Sequence, residues 1–447
     1  MIARLISFLR HRLGMDRAIA ASTATQLIRF VTGPVTMFLI IRFLTPEEQG
    51  FFYSFAGVVG IQVFLEAGFA QSITQFSSKE FASLRFNRQG LLTGSPAALS
   101  RLRSIFQKSR RYYMAMAAVL SVVLATGGYF FFSSKPSYGV PWMIPWFVVS
   151  LCAGLGFQMT PVWALLEGCN LVPEIATYRF WVTLIGFTVT AVGLFLGLGI
   201  YVTALATVVT LIFPICYLAL RWRKLILQIL RPPGAEQVSW KKEIWGFQWR
   251  IALTWGFKYL LFPFTPALAF AISGPVIAGK IGLCYQLALI GVGLGSTWTV
   301  TKIPRWGTLI AQGEQKTFRS EWKAAAKLHV GVVILTQSGA LIAITAINLA
   351  EFSFADRFLS PLAFSGFAIG VFFHSFWLIF SHYFRSGRQE PYTLITAIAA
   401  ASYITISFLL ISFGENSIPY AFAFANLIGA VTAHSIWKKY EANSHAI

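Results

Sequence analysis

Twelve apolar stretches, each of 20 residues or more, leave this chain few ways to fold. They run over residues 19–42, 50–77, 112–133, 142–166, 177–198, 200–220, 249–272, 276–303, 326–349, 361–384, 392–413 and 418–437. About 20 apolar residues in helical form span a bilayer. Inside lipid every backbone N–H and C=O must find its partner within the chain, which selects helices. Charged residues make up 12% of the 447, about half the share usual in a soluble domain. The expected fold is an all-α polytopic membrane protein with about 12 transmembrane helices.

The remaining charges are lopsided, 36 Lys+Arg against 16 Asp+Glu. A basic excess of this size also occurs in nucleic-acid binders, so position must decide. With the N-terminus placed in the cytoplasm, 29 of the cations fall on cytoplasmic connections or helix ends and 4 on the opposite side. Basic residues are retained on the cytoplasmic side, so the bias accounts for most of the charge without nucleic acid. Both termini are then cytoplasmic. Ile2, Leu5, Ile6, Leu9 and Leu13, interleaved with Arg4, Arg10 and Arg12, predict an amphipathic interfacial helix. The four cysteines lie in or beside apolar runs with no CxxC pair, so neither a disulfide scaffold nor a metal site is expected.

Two connections are long, 78–111 and 221–248. In the second, Trp222, Leu225, Ile226 and Ile229 form an apolar face, Arg223, Lys224 and Arg231 a basic one, and Pro232-Pro233-Gly234 stops the helix. This reads as a joint. Residues 1–220 form an N-lobe, 221–248 a cytoplasmic interfacial linker, 249–437 a C-lobe and 438–447 a cytoplasmic tail. A shift of 229 residues aligns the openings of the two lobes. Identities then fall at Thr25/Thr254, Pro34/Pro263, Thr36/Thr265, Leu39/Leu268, Pro46/Pro275 and Gly50/Gly279, with Arg29 opposite Lys258. Two six-helix pseudo-repeat lobes around a central cavity, each opening with a proline-kinked helix, are the expected plan.

Ionisable groups at mid-bilayer cost roughly 2.5–3.5 kcal/mol on insertion scales and usually face a cavity or a partner. Arg29 and Lys258 sit at matching depth in the repeat. Gln26 shares the polar stripe of Arg29, Arg250 and Thr254 lie on or near the face of Lys258, and Tyr259 adds an aromatic residue beside these helices. These residues are the candidates for a cationic cavity that takes an anion. Glu66 is the clearest acid within a span, either as the partner of Arg29 or as a proton or cation coupling site. His329, His374 and His382 are expected to be satisfied polar residues, and Arg179 to snorkel to the interface.

The stretch Arg42-Phe-Leu-Thr-Pro-Glu-Glu-Gln-Gly50-Phe-Phe-Tyr, continuing through Gln62-Val-Phe-Leu-Glu66-Ala-Gly68-Phe-Ala-Gln71, resembles the opening of polysaccharide-biosynthesis membrane proteins. Glu167-Gly-Cys-Asn170 and Glu243-Ile-Trp-Gly-Phe-Gln-Trp-Arg-Ile-Ala252 add to the likeness. The family is that of the lipid-linked oligosaccharide (O-antigen) flippases, within the multidrug/oligosaccharidyl-lipid/polysaccharide exporter superfamily. The resemblance implies alternating access in the bacterial inner membrane and a polyprenyl-diphosphate-linked oligosaccharide as substrate. It also implies a diphosphate held by basic residues on the first and seventh helices, here Arg29 and Lys258 and, more weakly, Arg250. No cofactor is expected, and the drive would be an ion gradient or the membrane potential. Gly274–Lys280 matches GxxxxGK, but Ile281 replaces the required Ser/Thr, so ATP is not expected as a partner. A multidrug antiporter of the same superfamily and a membrane polymerase or ligase of lipid-linked glycans are the rival readings. The short external connections hold no catalytic set, so an enzyme is not expected.

Overall fold

Each of the twelve apolar stretches is helical in the computed structural model. The structure describes residues 17–240, 245–387 and 391–444, with side chains other than those of 17–27, 29, 245–251, 304 and 441–444. The segment from Ile2 to Leu13, expected as an amphipathic helix, lies outside the described residues. In chain order the helices are α1 (Arg17–Phe43), α2 (Pro46–Val59), α3 (Gln62–Glu66), α4 (Phe69–Phe81), α5 (Pro96–Ser133), α6 (Met143–Phe157), α7 (Thr160–Gly168), α8 (Val172–Phe195) and α9 (Tyr201–Arg221). They continue as α10 (Arg223–Leu230), α11 (Trp245–Leu261), α12 (Thr265–Ser273), α13 (Pro275–Val300), α14 (Ile303–Ala311), α15 (Gln315–Leu349), α16 (Pro361–Ser386), α17 (Thr393–Leu409) and α18 (Ser417–Ser444). Among the described residues, seven helical runs are long and apolar enough to cross a bilayer, or up to nine if each of two bent pairs counts as one span. Shorter apolar helices cover Phe30–Phe43 and Thr393–Leu409. Large apolar side chains point outward along these helices, with Phe130 72%, Leu335 73% and Leu349 81% exposed, as lipid-facing surfaces require. The chain is an all-helical polytopic membrane protein.

Two compact units divide the chain. Unit 1 holds residues up to Leu44, Gln62–Ser133 and Gly139–Ala252, and unit 2 holds Thr45–Ile61, Ser134–Tyr138 and the chain from Leu253 onward. In unit 1, α8 packs along α1 and α6 along α5. Small residues bring α5 and α6 together. The Trp146 ring lies where a Cβ on Gly128 would stand, and its Nε1 donates to the Leu124 carbonyl at 3.0 Å.

One end of unit 1 is polar and basic. Here the connection 78–111 is not a plain loop. It contains an antiparallel hairpin, β1 (Leu84–Phe86) and β2 (Leu92–Gly94), with Leu84 opposite Gly94. Asn87 closes the turn by accepting from the amides of Gln89 and Leu91, and Gly90 takes the left-handed conformation at φ 76°. The surface helix expected after Trp222 is α10, and it buries Leu225 and Ile229 while packing against α5. Polar side chains clamp the chain that follows: Arg103 donates to Gln228 O, Gln107 to Arg231 O and Lys108 to Val238 O. Gln228 in turn exchanges two hydrogen bonds with the Leu92 backbone, at 2.9 and 2.7 Å.

Unit 2 is built on α16 against α18 and α2 against α13. The start of α2 follows its sequence closely. Thr45 and Glu48 form a reciprocal capping box and Pro46 opens the first turn. Gln49, 1% exposed, then donates to the Gly279 carbonyl at 2.9 Å. Gly50 lets the backbones of α2 and α13 touch, since a Cβ there would stand 1.9 Å from the Pro275 oxygen.

The two prolines of the repeat behave differently. Pro263 lies in a break where α11 and α12 meet at 48°. Helix α1 runs through Pro34 without a break in its helical assignment. Proline is tolerated inside a membrane helix when its surroundings accommodate the freed carbonyl.

Candidate functional site

Glu66 owes its setting to a break in the helix. Ala67 and Gly68 take positive φ, 47° and 70°, so α3 ends at Glu66 and α4 starts anew at Phe69. A helix end leaves carbonyls unpaired. Tyr112 of α5 repairs one of them, donating its hydroxyl to Leu65 O at 2.7 Å. The Glu66 carboxylate lines a cavity of about 370 Å³ in unit 1, together with Trp163, Glu167, Tyr178 and Arg179.

The wall opposite Glu66 is aromatic and charged. Trp163 and Tyr178 stack with centroids 4.1 Å apart, and Phe213 lies parallel to Tyr178 at 6.0 Å. Arg179 Nη2 pairs with Glu167 Oε1 at 2.5 Å. A carboxylate one helix away thus pairs with Arg179, whose side chain is 56% exposed. Glu167-Gly-Cys-Asn170 makes this possible. Gly168 lets α7 lie against α4, where a Cβ would meet Ser77 and the Thr74 carbonyl, and Asn170 at φ 63° turns the chain into α8. Among the described residues Glu66 makes no ion pair. Its expected partner Arg29 has its side chain outside the described residues, as do Gln26 and Arg250; α1 and α11 carry the three positions.

The remaining candidates lie in unit 2 on the last three turns of α11. Thr254 shares a hydrogen bond with Thr393 of α17 at 2.9 Å. Tyr259, 5% exposed, donates its hydroxyl to Gly57 O at 3.0 Å, and its ring fills the space that a Cβ on Gly60 would need. Both Thr254 and Tyr259 hold helices together. Lys258 lies between them in the chain and is half-buried. Phe262, one turn on, lies 4.5 Å from the His374 ring. His382 Nδ1 meets Thr299 Oγ1 at 2.8 Å, a satisfied histidine as expected. His329 is not satisfied: it is fully buried, and neither ring nitrogen has a hydrogen-bond partner among the described residues. Sequence reasoning missed the grouping of Trp163, Tyr178 and Arg179 about Glu66. No helical period joins these positions, because the turn at Asn170 intervenes.

The fold is that of the transporters of the multidrug/oligosaccharidyl-lipid/polysaccharide (MOP) superfamily. The chain is similar to an inward-facing MATE-family multidrug resistance transporter of that superfamily, with TM-score 0.68 and 15% identity over 96% of this chain and 99% of the other. It is equally similar to the lipid II flippase MurJ in an inward closed conformation, with TM-score 0.68 and 13% identity over 94% and 87% of the two chains. A MOP superfamily transporter from Pyrococcus furiosus, described as having a binding pocket of reversed polarity, aligns at TM-score 0.55 and 11% identity over 96% and 97%. No protein-family profile and no curated protein matches the sequence.

Proposed function

We propose that this protein is a transporter that flips polyprenyl-diphosphate-linked oligosaccharide across the bacterial inner membrane by alternating access. Its role would be in surface polysaccharide synthesis. The carrying observation is the setting of Lys258. Lys258 is half-buried on the apolar helix α11, at the position that the internal repeat pairs with Arg29. Such a setting suits an anion and repels a cation. Arg29, its counterpart in the repeat, would supply the second charge for a diphosphate. No nucleotide motif is available to drive transport. An inside-negative potential favours outward movement of negative charge by roughly 2.3 kcal/mol per charge per 100 mV.

A second reading has one observation in its favour. The unit 1 cavity combines the Glu66 carboxylate with the Trp163–Tyr178 stack, a combination that suits an organic cation. A multidrug antiporter would use it. The two readings separate in cells that depend on the protein. The flippase reading expects Arg29→Ala/Lys258→Ala to trap lipid-linked oligosaccharide on the cytoplasmic face, Arg29→Lys/Lys258→Arg to restore export, and Glu66→Gln to leave dye efflux unaltered. A folded double alanine variant that exports glycan at the normal rate would overturn it. Loss of dye efflux in Glu66→Gln alone would favour the antiporter.

A further inference from the structure

A second cavity of unit 1 lies at its basic end and shares helix α7 with the Glu66 cavity, Val162 lining the one and Trp163 the other. It is a groove of about 400 Å³ between α5, α7, α9 and α10. Its floor is apolar, with Met114, Val162, Leu218 and Leu227 among the lining residues, and its charged members are Arg110 and Arg223. No carboxylate lines it.

Sequence and fold together place this groove at the level where membrane gives way to water. On α5, Arg101 to Arg111 is strongly basic, and the apolar span begins at Tyr112. Arg110 and Met114 are one helical turn apart, one on each side of that border. On the facing wall α9 ends at Arg221, and the amphipathic α10 begins with Arg223. Helix α10 spends Leu225 and Ile229 on α5 and leaves Leu227 54% exposed, while Leu220 just before it is 88% exposed. An apolar wall this open must be covered by hydrocarbon in a membrane. Neither guanidinium forms an ion pair or hydrogen bond among the described residues, although Arg101, Arg179 and Arg305 each have a carboxylate partner. Guanidinium groups are suited to phosphate, which they engage through paired N–H donors.

We infer that this groove binds an anionic phospholipid, with its phosphate held by Arg110 and Arg223 and an acyl chain laid along Met114, Val162 and Leu218. Basic pockets between membrane helices on the cytoplasmic side are a recognised form of lipid site. The occupant is a bilayer lipid rather than the transported molecule, so the inference does not depend on which substrate the protein carries.

The test uses the full-length protein in detergent micelles with added phosphatidylglycerol or phosphatidylcholine, read by native mass spectrometry and thermal unfolding. The wild type should retain a phosphatidylglycerol adduct and melt higher with that lipid than with phosphatidylcholine. Arg110→Gln/Arg223→Gln should weaken retention at least tenfold, while its melting in phosphatidylcholine stays that of the wild type. Ala219→Trp, which fills the groove with both arginines present, should lose the adduct too. Arg85→Gln/Arg88→Gln, on the exposed hairpin, should keep it. The inference is overturned if the wild type shows no preference between the lipids or if the Arg110/Arg223 variant keeps the preference. It is also overturned if the hairpin variant loses the adduct equally, or if inorganic phosphate alone gives the same stabilisation.

Discussion

Substituting Gly50 by alanine tests the packing of unit 2 at its tightest point. A methyl group there would stand 1.9 Å from the Pro275 oxygen and 2.5 Å from its carbonyl carbon. Ordinary carbon–oxygen contacts are about 3.3–3.6 Å, so α2 and α13 must part by roughly 1.5 Å. Both colliding groups sit on or next to backbone, so no rotamer change relieves the clash. Overpacking of this kind costs about 1–3 kcal/mol, and a rigid neighbour puts the cost at the upper end. The same separation breaks the 2.9 Å hydrogen bond from Gln49 to Gly279 O, worth about 1 kcal/mol. Better helix propensity returns about 1 kcal/mol. The net loss should be about 2–3 kcal/mol, measured as a lower thermal midpoint in detergent. Gly33→Ala is the reference, because nothing lies within 4 Å of a Cβ there, and it should be neutral or mildly stabilising. Gly279→Ala should fall between, its nearest contact being Gly50 N at 3.0 Å. If Gly50→Ala melts with Gly33→Ala, the crossing is not as tight as described and the reasoning fails.

Two further substitutions probe unit 1. Gln228→Leu removes both hydrogen bonds that tie α10 to Leu92 and should loosen the hairpin by about 1–2 kcal/mol. Faster amide exchange over residues 84–94, with α5 unchanged, is the expected reading; unaltered exchange would mean that the hairpin stands without the clamp. At the Glu66 cavity, Tyr178→Ala should destabilise by about 3–5 kcal/mol, since the ring is 8% exposed and stacked on Trp163. Arg179→Ala should cost under about 1 kcal/mol, because its ion pair with Glu167 is more than half exposed on the arginine side. Equal losses would show that the cavity wall is held by charge rather than by stacking.

Apolar length was the most legible property, since lipid enforces it residue by residue. All twelve stretches are helical, and α10 falls where its apolar and basic faces predict. The hairpin was hidden because its strands have three residues each and owe their pairing to Asn87, Gly90 and a side chain 136 residues away, Gln228. A break at Pro263 was legible, but that α1 continues past Pro34 was not, because a proline states only that one hydrogen bond is missing. Among site residues, depth in the membrane pointed to Glu66 and Lys258. It could not say which neighbours Glu66 would meet, since those arrive across helix breaks at Gly68 and Asn170 that carry no periodic signal. The stretch Thr45-Pro-Glu-Glu-Gln-Gly50, part of the family resemblance, holds a helix start and a helix crossing.

That crossing also explains why the internal repeat survives where it does. A shift of 229 pairs Pro46 with Pro275 and Gly50 with Gly279. In the structure a Cβ on Gly50 would meet the Pro275 carbonyl, and a Cβ on Gly279 would meet Pro46 O at 3.1 Å. Exchanging the two repeats turns one contact into the other, the signature of an isologous interface, here folded within one chain. Two helices crossing by chance have no reason to show such reciprocity. Each proline starts its helix, where a missing N–H does no harm, and each glycine stands four residues later on the same face, where the backbones meet. A side chain on either glycine would press on the other helix's backbone. One turn further on, Tyr53 and Gly282 are again repeat partners, and a Cβ on Gly282 would stand 2.5 Å from Tyr53 Cβ. Two large side chains could not share that space, so here the repeat keeps its contact only by giving up its symmetry. Identity is retained where both copies need the same small shape, and divergence is forced where only one side chain fits.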